Sequence, residues 1–124
     1  MGFIKNLFSS SEPTDFSKNK PNWVILTSVS QLEEIKEISR SKTALIFKHS
    51  TRCGTSSIAL KDFEKNFQPN ENTVIYFLDL LRHRDVSDAI AIQFRVQHQS
   101  PQLLVIENAV CIKNASHYQI NELL

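Results

Sequence analysis

Lys48–Ser57 reads KHSTRCGTSS, and the fold is decided by what this stretch joins. Before it runs TALIFK, a short apolar segment that reads as a strand. After it, Ala59, Leu60, Phe63 and Phe67 recur at helical spacing, and Pro69 stands where a helix would stop. Cys53 lies in the turn between, directly before Gly54, one of only two glycines in the chain. Three residues after Cys53, where a dithiol redox motif has its second cysteine, stands Ser56. The question is whether this is a working thiol without its usual partner or only a serine-rich turn.

Working outward, the pattern alternates. WVIL from Trp23 is a strand candidate. SQLE at Ser30–Glu33 has the form of a capping box, and Leu32, Ile35 and Ile38 follow on one helical face. TVIYFLDL is apolar almost throughout, as in a strand buried on both faces. Asp85 is placed to cap a helix carrying Val86, Ala89, Ile90 and Phe94. LLVIE and VCIKN, with a tight turn near Asn108, suggest a hairpin. ASHYQINELL offers a second capping box, Ser116 to Gln119, before a short helix. The order βαβαβα, then hairpin, then helix, demands parallel crossovers followed by an antiparallel extension. The predicted class is therefore α/β, a mixed central sheet with helices on both faces.

With 124 residues, the chain suits one core. Residues 1–20 read as an appendage and linker: Phe3, Ile4, Leu7 and Phe8 could share one face, and a polar run with Pro13 and Pro21 follows. Residues 21–124 form the expected domain. Net charge is +1 with no long block of like charge, which argues against a nucleic-acid partner. No stretch approaches the roughly 20 apolar residues of a membrane span. The apolar start is short and carries Lys5, unlike a secretory signal. Its MGFIKN has Asn6 where a myristoylation site needs Ser or Thr. Two cysteines make no disulfide framework. A reducing cytoplasm is the expected setting.

In open α/β sheets, function gathers beyond the carboxyl ends of strands. Cys53 falls there, at the start of a helix. The positive end of a helix dipole and unpaired backbone N–H groups favour thiolate over thiol. Arg52 adds positive charge. Gly54 lets the backbone bend and keeps the approach clear. Ser56 can donate to a thiolate but cannot form a disulfide with it. The second signal is Pro101, between a helix and a strand, 48 residues after Cys53.

Together these features resemble the thioredoxin superfamily. More narrowly, FKHSTRCGTSS, HQSPQLLVIE and NASH resemble the single-cysteine bacilliredoxins, over Trp23 to Leu124. Those proteins use the low-molecular-weight thiol bacillithiol. The resemblance implies that Cys53 attacks bacillithiol mixed disulfides of client proteins. Bacillithiol is then a co-substrate, and no tightly bound cofactor is expected. It implies that Pro101 is cis and walls the thiol groove, and that the Ser100 backbone pairs with substrate as an added strand. Thr51, Arg52, Thr55 and Ser56 are expected to line the pocket, with Arg52 on a carboxylate of the small thiol. Relatives often have proline after the cysteine; this chain has Gly54. CGTS also resembles the CGFS of monothiol glutaredoxins, with Thr55 for Phe. An iron–sulfur binding module is therefore an alternative, as is a non-catalytic thioredoxin-fold adaptor.

The remaining candidates read as structural. His49 is expected to be a solvated or hydrogen-bonded residue at a strand end, and His83 a solvated loop residue. His117 falls in the first turn of the last helix. The four histidines have no metal-binding spacing. Cys111 alternates within its run as a core or edge strand residue, too far from Cys53 for a bridge.

Overall fold

A computed structural model describes residues 21–124. The expected appendage, residues 1–20, lies outside the described residues. Five strands form one sheet in the order β1-β3-β2-β4-β5. They are β1 (Val24–Ile25), β2 (Thr43–His49), β3 (Thr73–Asp79), β4 (Gln102–Glu107) and β5 (Val110–Ser116). Three α-helices, α1 (Gln31–Ile38), α2 (Gly54–Asn66) and α3 (Arg84–Gln93), connect the first four strands, and a 3-10 helix, His117–Leu123, closes the chain. β3 runs parallel to β1 and β2, whereas β4 is antiparallel to β2 and β5.

The period-2 alternation of β2 builds both halves of the core. Ala44 and Ile46 face α1 and α3, where they pack with Leu32, Ile35, Leu78, Val86, Ile90, Leu104 and Ile106. Leu45 and Phe47 face α2 and the 3-10 helix, among Ala59, Phe63, Leu103, Val105 and Ile120. Trp23 closes this second half. Its ring lies 5.4 Å from Phe63 and 5.5 Å from Phe77, and its Nε1 donates to Glu64 at 2.9 Å.

Several local expectations are corrected. WVIL pairs over two residues only, although Leu26 N still donates to Phe77 O. Ser30 makes no capping bond from its side chain. Gln31 instead ties down the chain before the helix: its Oε1 accepts from the amides of Thr27 at 2.7 Å and Ser28 at 3.0 Å, and its Nε2 donates to Ile25 O. His83, not Asp85, occupies the cap position of α3, and Asp85 lies in the first turn. The last segment is a 3-10 helix with no side-chain cap from Ser116. His117 stands there at a positive φ of 57°, its amide held by the Pro101 carbonyl at 3.1 Å.

The β4–β5 turn has positive φ at both Asn108 (52°) and Ala109 (65°), as a two-residue type I′ turn requires. It is tied to the end of α1 by Asn108 N to Ser39 O and Ala109 N to Ser39 Oγ, each 2.7 Å. Beyond it the register shifts: Ile106 pairs Cys111 but Val105 pairs Lys113, so Ile112 is an unpaired bulge residue.

Candidate functional site

The site is assembled at one end of the sheet. β2 ends at His49 and runs into the Cys53 turn. Lys48 pairs with Gln102, the first residue of β4, so the Ser100–Pro101 loop emerges at the same end. His49 pairs with Asp79, the last residue of β3, which brings the start of α3 there too.

Cys53 occupies the cap position of α2 with extended backbone (φ −109°, ψ 118°), and its carbonyl accepts from Ser57 N at 3.1 Å. Its side chain is half-buried, and it makes no capping hydrogen bond. Thr51, Arg52 and Gly54 are exposed around it, and Thr55 is partly so. A Cβ added to Gly54 would meet nothing within 4 Å. The backbone is helical there, so the bend at the cysteine does not depend on glycine.

Ser56 faces inward. It is fully buried, its hydroxyl lies 2.7 Å from His49 Nδ1, and it accepts from Ser50 N at 3.0 Å. It therefore braces the turn rather than lining its opening. His49 is a buried strand residue, not a solvated one, 5.5 Å from the Phe77 ring. Burial pulls its pKa below 6.5, against the opposing charges of Asp79 and Glu64.

The Ser100–Pro101 bond is cis and Pro101 is buried. Ser100 Oγ is buried with no partner among the described residues. Gln102, itself buried, fixes the loop by accepting from Gln99 N at 3.3 Å and donating to Gln97 O at 3.0 Å.

Two features escaped sequence reasoning. One is the His49–Ser56 pair. The other is Lys48, fully buried with its Nζ unpaired among the described residues. Burial pulls its pKa from 10.5 to about 8, with Asp88 opposing. The signal for both was the alternation of β2, which sends Lys48 to the α1/α3 side and His49 to the α2 side.

Cys111 is a partly buried edge-strand residue; its thiol donates to Lys113 O at 3.2 Å, and burial pushes its pKa up. It pairs with Ile106, which pairs with Ala44 at the start of β2. Ala44 to His49 spans about 16 Å of strand, far beyond disulfide reach of the Cys53 turn. Among the described residues no group of three or more His, Cys, Asp or Glu could hold a metal ion, and no helix is long and apolar enough to cross a membrane.

A mixed five-stranded sheet, one cysteine opening the helix after the central strand, and a cis-proline loop at the same end of the sheet define a thioredoxin-fold thiol oxidoreductase. Residues 24–123 match the family described as monothiol bacilliredoxin BrxC, and the chain belongs to that family. Among solved structures, a candidate oxidoreductase with a thioredoxin fold is 33% identical with a TM-score of 0.67, covering 78% of this chain and 84% of that one. Thioredoxin of Malassezia sympodialis has a TM-score of 0.67 at 14% identity, covering 84% and 86%. Thioredoxin of Trypanosoma brucei brucei has 0.62 at 16%, covering 84% and 86%. These last two show the fold alone.

Proposed function

We propose that the chain removes bacillithiol from protein mixed disulfides through Cys53. The observation that carries this is the pairing of a half-buried, uncapped Cys53 at the α2 start with a serine, not a cysteine, at position 56 and Cys111 at the far end of the sheet. The Cys53 thiolate attacks the bacillithiol sulfur of the client. The old S–S bond breaks, the client leaves as a thiolate, and Cys53 carries bacillithiol in a new disulfide. With no internal thiol in reach, a second small thiol or a separate reductase attacks that disulfide and restores Cys53.

Thr51, Arg52 and Thr55 contact the small thiol in this reading, with Arg52 on a carboxylate. The client backbone pairs with Ser100, whose amide and carbonyl have no hydrogen-bond partner among the described residues. Two free cysteines suit a reducing cytoplasm.

The test is intact-protein mass after exposure to oxidised bacillithiol, beside oxidised glutathione and a Cys53→Ser control. One adduct on Cys53, formed faster with bacillithiol and removed by excess thiol, supports the reading. No adduct from either, with Cys53 accessible to alkylation, overturns it and favours cluster binding or an adaptor role.

A further inference from the structure

The chain between α3 and β4 makes few hydrogen bonds of its own. At its start the Val96 amide reaches back to Ala91 O, and at its end Pro101 O accepts from the His117 amide, each at 3.1 Å. Between these two points, among the described residues, one side chain holds the backbone of residues 97–100. Gln102 Oε1 accepts from the Gln99 amide at 3.3 Å, and Gln102 Nε2 donates to Gln97 O at 3.0 Å. The His98 ring adds a long contact of 3.5 Å to Ser87 Oγ on α3.

Gln102 is itself held from both sides. It is buried, and its backbone lies opposite Lys48 on β2 and Ser116 on β5. Alternation with Leu104 and Ile106 puts its side chain on the α1/α3 face, the side from which the loop arrives. Lys48, directly opposite, makes no hydrogen bond with it. A carboxamide suits the task because it offers an acceptor to an N–H and a donor to a C=O at once. An apolar side chain offers neither, and a carboxylate would set negative oxygen against the Gln97 carbonyl. A buried amide costs free energy unless it is bonded, so the two loop contacts are what make glutamine tolerable at this core position.

We propose that Gln102 is a positioning residue for client recognition: by holding residues 97–99 it aims the free amide and carbonyl of Ser100, and so favours disulfides carried on an extended peptide over those of small thiols. The proposal rests on exchange at Cys53 with the client paired to Ser100, and adds what aims Ser100. An extended client segment has an N–H and a C=O to exchange with that residue, as in an antiparallel pair. A small disulfide has no such backbone. Gln102 touches neither the sulfurs nor the client, and acts through the loop alone. Without its two bonds, the cost of ordering residues 97–100 would be drawn from client binding.

The experiment uses the full chain with Cys111→Ser, so that one thiol reacts. Two probes carry the same bacillithiol half. In one it is joined by a disulfide to the cysteine of a short unstructured peptide, in the other to N-acetylcysteamine. Single-turnover transfer to Cys53 is followed by mass at rising probe concentration, which gives a half-saturating concentration and a maximal rate. For Gln102→Met, the ratio of peptide to small-probe efficiency is expected to fall about tenfold, the net worth of the lost hydrogen bonds. The fall should lie in the half-saturating concentration, because strand pairing is made before and during the reaction alike. Equal losses for both probes, or a peptide loss carried wholly by the maximal rate, overturn the proposal.

A second measurement leaves Gln102 in place. The peptide is joined to Cys53 from its thiopyridyl-activated disulfide, and amide hydrogen exchange is followed by NMR. Before joining, the Gln99 amide is expected to be protected and the Ser100 amide to exchange freely; after joining, Ser100 is protected as well. A Ser100 amide that stays free in the joined complex, or a Gln99 amide that exchanges as fast as Ser100 before it, overturns the proposal. The readouts separate the two claims. Failure of both probes to transfer bacillithiol to wild-type Cys53 sinks the exchange reading, while the joined complex still reports on Ser100. Normal transfer in the wild type, with equal losses for both probes in Gln102→Met, sinks the positioning role alone.

Discussion

Replacing Lys48 with methionine should make the protein more stable near neutral pH. The ammonium is fully buried with no hydrogen-bond partner among the described residues, and burial holds its pKa at about 8. From 10.5 to about 8 is a fall of about 2.5, and at 1.36 kcal/mol for each unit this amounts to about 3 kcal/mol against folding at pH 7. Methionine keeps most of the length of the side chain and removes the charge. The fall already includes the opposing pull of Asp88, so a gain of up to about 3 kcal/mol is expected. The sign with pH follows from linkage. Between about pH 8 and 10.5 the unfolded lysine holds a proton that the folded one has released, so the wild-type contribution improves as pH rises through that window. The advantage of Lys48→Met should therefore shrink by about 2 kcal/mol between pH 7 and 9.5. Tyr76, whose pKa burial raises, is common to both proteins and cancels in the difference. Urea unfolding at the two pH values measures it. A variant less stable than wild type at pH 7, or an advantage that does not change with pH, would refute the argument.

Three other perturbations have definite outcomes. Burial lowers the pKa of both His49 and His98, so unfolded histidines take up protons first and stability should fall as pH drops below 6.5; equal urea midpoints at pH 7 and 5.5 would contradict this. Ala109→Gly should raise stability by about 0.5–1 kcal/mol, because φ of 65° costs a Cβ that glycine lacks; an unchanged or lower thermal midpoint would count against the turn. Phe63→Ala should cost about 3–5 kcal/mol, as it empties the centre of the aromatic cluster with Trp23, Phe47 and Phe67; a loss under 1 kcal/mol would mean the cluster repacks.

Long-range architecture was legible because it rests on alternation. ALIF sends successive residues to opposite faces, and both halves of the core follow from it. The parallel order and the hairpin followed from connection lengths, and the site from where β2 ends. Local polar partners were not legible. The capping-box pattern at Ser30 is not used, because its hydroxyl pairs with that of Ser28 at 2.9 Å, and Gln31 binds the chain before α1, which no sequence pattern announces. Ser56 looked like a pocket residue because its neighbours Thr55 and Ser57 are polar, yet the helical rotation between them turns it inward to His49. Lys48 lay hidden because a lysine at a strand end is ordinarily solvated.

The two borders of the sheet are defended differently. β1 pairs over only two residues, too short to template another chain. β5 is longer and shows Val110 and Ile112 to solvent, a composition that invites fibril-like stacking. The bulge at Ile112 twists that border and breaks its regular spacing of donors and acceptors. An irregularity of one residue is thus a barrier to self-association. Deleting Ile112 should restore a regular border and favour pairing of β5 with the same strand of a second copy.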